Sequence, residues 1–291
     1  MTISVIIPAY NEEKNIESTV ENVIKAIKGK FTDYEILIFN DCSQDNTGNI
    51  VEKLARLNGR IKVIHNKKNE GFAYNYKKGV ELANNDYIAI IPGDDEILPE
   101  SISEIFSLVG KAEIIIPYTV NYRVRSLSRR VISFSFTAVM NFLFGLKLKY
   151  YNGPVVHKRE IIKSVLIKSK SFAFQAEILV KLIKKNRSFI EMGMYIKNRK
   201  YGKSKALRLT NILGVFKTII MLFEEIYLWE GFRIFENKKR FVPFTVLFSI
   251  VILFGLSVFF NPSLKFSGWI GYVVISPFLK FFEFLISFIN K

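Results

Sequence analysis

The first hundred residues alternate between two hydrophobic rhythms. "ISVIIPAY", residues 3–10, is a short apolar run ended by Pro8 and reads as a buried strand. In "NEEKNIESTVENVIKAI" the apolar Ile16, Val20, Val23, Ile24 and Ile27 recur at helical spacing; Asn11 is placed to cap this helix, with glutamates in its first turn. The alternation continues through a strand at 34–40, a helix in "NTGNIVEKLARL", a strand at 61–66, a helix in "GFAYNYKKGVELA" and a strand at 86–92. Such an order predicts an α/β fold with a mostly parallel sheet covered on both faces. Ligands of these sheets sit at the carboxyl ends of the strands, here Pro8–Asn11, Asn40–Asp45, Asn66–Gly71 and Gly93–Glu96.

Beyond residue 111 the pattern loosens. "AEIIIPY" and "FIEMGMYIKN" read as strands and "SFAFQAEILVKLIKKN" as a helix. Phe134, Phe136, Val139, Met140, Leu143 and Phe144 are expected to form one helical stripe, and residues 211–229 an amphipathic helix suited to a bilayer interface. Residues 241–260 carry no charge, and 20 residues of helix span ~30 Å, the thickness of a bilayer's hydrocarbon core. A second apolar segment, 268–289, is interrupted by Pro277, Lys280 and Glu283; it either spans or lies in the interface. The predicted organisation is a domain over 1–210, an interfacial helix over 211–232 and a transmembrane hairpin over 241–289. The basic "ENKKR" before the first span places that end, and the domain, on the cytoplasmic side.

Charge sharpens this picture. Residues 1–100 hold 12 Lys+Arg against 16 Asp+Glu, a net of −4, whereas residues 111–210 hold 22 against 4, a net of +18. Basic residues beside membrane-seeking sequence favour an anionic lipid or ligand over nucleic acid. The single cysteine, Cys42, permits no internal disulfide and suits a reducing compartment. No cleaved signal peptide is apparent at the N-terminus. His65 and His157 show no metal or triad spacing and are expected in core or surface roles.

Against this background "IIPGDDEILPE", residues 90–100, poses a choice. Its acids either cap the next helix or hold a cation against an anion. The segments "SVIIPAYNEEKNI", "NDCSQDNT", "NEGFAYNYKKGVELANNDYIAIIPGDDEILPE", "FAFQAEILVKLIKKN" and "RKYGKSK" resemble family-2 glycosyltransferases of the GT-A fold, in the branch of dolichyl- and polyprenyl-phosphate sugar synthases, over roughly residues 3–205.

The resemblance implies a divalent cation, Mg²⁺ or Mn²⁺, held at a DxD-like motif. Asp94 matches the second aspartate, Glu96 stands in the place of a glutamine, and Pro92 replaces the first aspartate, a loss for which Asp95 is the candidate compensation. It places Pro8, Ala9, Tyr10, Glu12, Asn40, Asp41, Asn69, Gly71, Gly93 and Asp94 around the nucleotide sugar. Arg123, Arg129 and Ser133 fall on the acceptor phosphate, with the register between Arg129 and Arg130 open. Arg199 and Lys203–Lys205 form a loop over the pyrophosphate. Glu177 matches an acidic family position or is a helix-surface acid.

The implied partners are a nucleotide-sugar donor, a polyprenyl phosphate acceptor and membrane lipid, with further copies of the chain an open option. The implied reaction is transfer of the sugar to the lipid phosphate with inversion. A polysaccharide or lipid-linked sugar as acceptor, and a non-catalytic membrane-tethered binding module, are the alternatives.

Overall fold

A computed structural model describes residues 1–197 and 209–229. The first half alternates as expected: β1 (Thr2–Ala9), α1 (Ile16–Ile27), β2 (Asp33–Asn40), α2 (Thr47–Leu57), β3 (Ile61–His65), α3 (Phe72–Leu82), β4 (Tyr87–Ile90) and α4 (Pro99–Ser107). The second half adds β5 (Ile114–Thr119), α5 (Leu127–Phe144), β6 (Val156–Lys158), α6 (Arg159–Lys163), α7 (Phe174–Lys184), β7 (Phe189–Met194) and α8 (Leu209–Phe223).

The seven strands pair in the order β3-β2-β1-β4-β6-β5-β7. The pairs among β1 to β4 are parallel. β6 runs antiparallel to both β4 and β5, and β7 is parallel to β5. From β1 the chain winds outward through β2 to β3, then returns to place β4 on the other side of β1. The sheet therefore has its topological switch point between β1 and β4, where α/β sheets open a crevice for ligands.

Strand alternation sorts the apolar side chains into two cores. Ile3, Val5 and Ile7 of β1, with Ile36 and Ile38 of β2, pack with Val20 and Val23 of α1 and Ile102, Ile105 and Phe106 of α4. Ile6, Leu37 and Phe39 point the other way, into a core with Tyr76 and Val80 of α3, Met140 and Phe144 of α5, and Ile178 and Leu179 of α7. Burying side chains of this size contributes roughly 1.5–3 kcal/mol each.

Three expectations change. The three-residue β6 has too short a hydrophobic signature to register as a strand. The stripe expected on α5 splits: Met140 and Phe144 are buried and Phe136 and Leu143 pack beside them, but Phe134 is 76% exposed. At about 100° per residue, positions two apart lie on opposite sides of a helix. Leu127, Phe134 and Phe142 form the outward stripe, while Arg129 and Ser133 head the inward one. Asn11 does not cap α1, which begins at Ile16 behind Asn15; its side chain instead accepts a hydrogen bond from the Gln44 amide at 2.8 Å.

The helix expected at 211–229 is α8 with a continuing turn at Glu224–Trp229. It lies against the domain: Thr218, Ile219 and Leu222 are buried, and Tyr227 stacks on Phe144 with ring centroids 6.2 Å apart. Lys181 of α7, itself buried, bonds Glu177 at 2.7 Å and Glu225 at 2.9 Å, which fastens this segment to α7. Among the described residues no helix is long and apolar enough to cross a membrane. The spans expected at 241–260 and 268–289 lie outside the described residues.

His157 on β6 is fully buried against Tyr76, whose hydroxyl lies 3.0 Å from Nδ1. Burial pushes its pKa down to about 3. An unfolded imidazole titrates near 6.5, so between these values unfolding takes up a proton and stability is lost as pH falls. Urea unfolding of the wild type should lose about 2 kcal/mol between pH 6.5 and 5 from this group. His157→Gln should lack that share of the slope; an identical slope in the two proteins would clear His157 of the role.

Candidate active site

The carboxyl ends of β1 to β4 carry four loops, and hydrogen bonds between them build one rim. The β1 and β2 loops are laced together. The Asn11 amide donates to Ser43 Oγ at 3.0 Å, the Glu12 amide to Thr47 Oγ1 at 2.8 Å and the Glu13 amide to Asp45 Oδ2 at 3.2 Å. In return the Asn46 amide donates to Glu13 Oε2 at 3.0 Å. Glu12 also holds Asn15 Nδ2 at 2.7 Å, so its carboxylate is tied to the start of α1. The β4 exit is bound to β1 through the Gly93 amide and the Pro8 carbonyl at 3.1 Å. A side chain at Gly93 would meet Ile16, Ala9 and the Pro8 carbonyl at 3.0–3.2 Å, so only glycine fits there without displacement.

Asp41 organises the third loop. Its buried carboxylate accepts from the Glu70 amide at 2.8 Å, the Gly71 amide at 2.9 Å and Asn66 Nδ2 at 2.8 Å, while its carbonyl accepts from Asn69 Nδ2 at 3.2 Å. Gly71, at φ +89°, makes the left-handed entry to α3 that a side chain would strain. Asn40 is likewise buried: Nδ2 meets His65 Nδ1 at 2.9 Å and Oδ1 accepts from the Ser43 amide at 3.2 Å. His65 passes the contact on to Glu52 at 2.9 Å. Asn40 and Asp41, both expected against the donor, are thus buried residues whose hydrogen bonds shape the loops. Cys42, at φ +62°, takes a left-handed position that glycine would more commonly occupy.

The acidic stretch divides. Asp94 and Glu96 are half-buried and adjacent, the Glu96 amide donating to Asp94 Oδ1 at 3.3 Å. Asp95, at φ +52°, turns away; it accepts from Ser18 Oγ at 3.1 Å and Asn22 Nδ2 at 3.2 Å and pairs with Lys197. With both oxygens engaged on α1 and Lys197, Asp95 does not stand in for the aspartate lost at Pro92. None of the three acids caps α4, whose N-cap is Leu98 and which has Pro99 in its first turn.

Among the described residues no group of three His, Cys, Asp or Glu could hold a metal by itself. Asp94 and Glu96 nevertheless fit the way Mg²⁺ is commonly held, by one or two carboxylates completed by substrate phosphate and water.

The basic candidates follow β5 in the chain. Arg123 is exposed, in the turn Tyr122–Val124, while Arg129 and Ser133 are half-buried, one turn apart on the inward face of α5. Arg130 instead lies over the Tyr122 ring, 5.5 Å from its centroid, which favours the Arg129 register. A further basic residue lies in the same stretch. Arg125 Nη1 donates to Tyr150 Oη at 2.9 Å, and its guanidinium lies 5.8 Å from that ring's centroid. Burial works against its charge, but Tyr150, Glu96 and Asp94 more than offset this and hold its pKa above the ordinary arginine value. The resemblance singles out Arg123, Arg129 and Ser133 in "YRVRSLSRRVIS" and passes over Arg125.

Lys197 joins the two halves, its amide donating to the Glu96 carbonyl at 2.8 Å and its side chain pairing with Asp95. Arg199, Lys203 and Lys205 follow it and lie outside the described residues. Glu177 is no surface acid. It is fully buried and accepts from the Lys168 and Ser169 amides at 2.9 and 2.8 Å.

The model of glycosyl transferase family 2 matches residues 4–162, the stretch that holds all four parallel strands and the β4 exit. This chain belongs to glycosyl transferase family 2. A 122-residue stretch is 30% identical to glycosyltransferase GlyG of Streptococcus pneumoniae, covering 41% of this chain and 40% of that protein. A 94-residue stretch is 34% identical to the putative teichuronic acid biosynthesis glycosyltransferase TuaG of Bacillus subtilis, covering 32% and 36%. The matches thus span well under two thirds of either relative.

Among solved structures, glucosyl-3-phosphoglycerate synthase from Mycobacterium tuberculosis, in complex with Mn²⁺, UDP and glucosyl-3-phosphoglycerate, superposes with a TM-score of 0.55 at 16% identity, over 76% of this chain and 79% of that one. TarS of S. aureus with UDP-GlcNAc gives 0.59 at 20%, over 78% and 67%. At these identities the likeness is one of fold, and the mixed α/β sheet of this family member is of the GT-A kind.

Replacing Asp41 with Ala strands three donors in a buried place. A loss of about 3 kcal/mol is expected, read from the urea midpoint, with faster proteolytic cleavage within residues 66–71. A change under about 0.5 kcal/mol would show that the loop holds itself.

Proposed function

We propose that this protein transfers a sugar from a nucleotide-sugar donor to a polyprenyl phosphate at a membrane surface, with inversion at the anomeric carbon. The observation that supports this reading is that Asp94 and Glu96 stand half-buried together at the β4 exit beside the switch point; the reading assigns Arg129 and Ser133, half-buried one turn apart on α5, to the acceptor phosphate. A divalent cation held by Asp94 and Glu96 would supply Lewis-acid stabilisation to the departing diphosphate. The complexes of the Mycobacterium tuberculosis synthase with UDP and Mn²⁺ or Mg²⁺ support that choice.

The protein's own part is positioning. Tyr10, Glu12 and the Asn69–Gly71 loop line the donor side, where the laced β1 and β2 loops hold them. Arg129 and Ser133 present the acceptor phosphate, whose oxygen attacks the anomeric carbon while the bond to the diphosphate oxygen breaks and its electron pair leaves with the nucleotide. A phosphate monoester has a second pKa of about 6, so the nucleophile is already charged at pH 7 and needs no strong base. This agrees with the histidines: His65 is bound to Asn40 and Glu52, and His157 is buried in the core. The resemblance assigns Arg199 and Lys203–Lys205, outside the described residues, to the diphosphate.

The membrane reading draws on the outward stripe of α5, where Leu127 is 67%, Phe134 76% and Phe142 60% exposed, close to Arg123 in the preceding turn. It is completed by the uncharged run at 241–260, with the domain on the cytoplasmic side. The test is transfer of radiolabelled sugar into lipid with polyprenyl phosphate present or absent, followed by a donor screen. Label in the lipid only when polyprenyl phosphate is supplied, and at least a 10³-fold lower rate in Asp94→Ala, is the expected result. Label moving to a polysaccharide or a lipid-linked sugar instead would replace the acceptor, and an active Asp94→Ala would remove the cation site.

A further inference from the structure

Asn121 stands where the chain leaves the sheet. β5 and β7 pair as far as Thr119 and Met194, and the Val120 amide still donates to the Met194 carbonyl at 2.9 Å. The backbone then turns away into Tyr122–Val124, with the Val124 amide bonded to the Asn121 carbonyl at 3.0 Å. The Asn121 side chain stays behind. Its Nδ2 donates to the Ile196 carbonyl at 2.7 Å, and its Oδ1 accepts from the Ile196 amide at 3.0 Å.

The other edge of this segment meets the acidic stretch. Ile97 and Ile196 form an antiparallel bridge, framed by the Leu98 amide on the Tyr195 carbonyl at 3.1 Å and the Lys197 amide on the Glu96 carbonyl at 2.8 Å. In a pair framed this way the facing residues' own amides and carbonyls point outward, which leaves those of Ile196 to Asn121. Ile196 is buried, so these groups need such partners. Asp95 fastens the same segment from the acids' side, pairing with Lys197 while it accepts from Ser18 and Asn22 of α1. Residues 195–197 are therefore a strut, with Glu96–Leu98 on one edge and a side chain standing in for a strand on the other.

We infer that Asn121 is a positioning residue for sugar transfer: through Ile196 it sets the turn at Tyr122–Val124, and the start of α5 behind it, against the backbone at the β4 exit. This rests on the site proposed above, in which the acids serve the donor and Arg129 and Ser133 the acceptor. Asn121 acts through the strut and not on the reacting atoms.

The experiment compares Asn121→Ala and Asn121→Asp in the full-length protein in detergent. Asn121→Ala should lower kcat for transfer to polyprenyl phosphate about a hundredfold, the cost of misplacing reacting groups by ~1 Å, while the donor KM keeps its wild-type value. Asn121→Asp, which retains an acceptor for the Ile196 amide but no donor for its carbonyl, should fall between the two. If Asn121→Ala does not fold, the same split in Asn121→Asp decides. An undiminished kcat, or a loss shared with donor affinity, overturns the inference.

A second measurement needs no acceptor. Spin labels on Cys42, at the end of β2, and on Ser128→Cys, exposed in the first turn of α5, report the distance between the two sides by double electron–electron resonance. Asn121→Ala should broaden that distance distribution; one as narrow as in the protein with Asn121 intact overturns the inference. If the wild type moves no sugar to polyprenyl phosphate and the distribution still broadens, the acceptor reading falls and the strut stands, with the kcat split then read on the acceptor that does take the label.

Discussion

Three consecutive half-buried carboxylates at a strand end repel one another, and hydrogen bonds or a cation beside them ease that repulsion. That constraint shapes everything around the β4 exit. Asp95 is turned toward α1 by a left-handed backbone and closed off by Lys197, while Asp94 and Glu96 stay at the crevice under the field of Arg125. The sheet provides the place, because the chain leaves β1 and β4 toward opposite sides while Gly93 keeps the β4 exit against Pro8. The second half of the chain provides the charge: the turn after β5 delivers Arg125, and the end of β7 delivers Lys197.

Rigidity comes from a different set of bonds. Asp41 gathers the 66–71 loop, the Asn11–Glu13 segment is laced to Ser43–Thr47, and Gly93 sits against Pro8. These polar contacts fix the rim from below and leave its outer surface to a ligand, an arrangement suited to chemistry that depends on positioning and charge. Elsewhere, buried Glu177 and Lys181 with half-buried Glu225 bind α7 to the turn after α8, and the apolar residues of α5 divide between the core and the outside.

Much of this could be read in the sequence. Strand and helix rhythms in residues 1–100 are clean because each element is long and has one or two buried faces. The loops at the carboxyl ends then follow from the parallel order. What sequence could not convey was direction. "NDCS" names Asn40 and Asp41 as polar loop residues, but only the fold reveals that both point inward. Asp94, Asp95 and Glu96 look alike in a row, and a positive φ at Asp95 decides which one leaves the group. Arg125 was hidden among four arginines, and Tyr150, its anchor, lies in a loop without any pattern. The stripe on α5 needed the 3.6-residue period applied strictly, since Phe134 and Phe136 are too close in sequence to share a face.

The central claim is that Asp94 and Glu96 hold a cation on a departing diphosphate. Its most direct test is the anomalous scattering of Mn²⁺ in crystals grown with the matching nucleoside diphosphate. The account requires a Mn²⁺ peak at coordination distance from oxygens of Asp94 or Glu96 and from the diphosphate. A diphosphate bound in the crevice with Mn²⁺ absent from both carboxylates, or bound away from the β4 exit altogether, would contradict it.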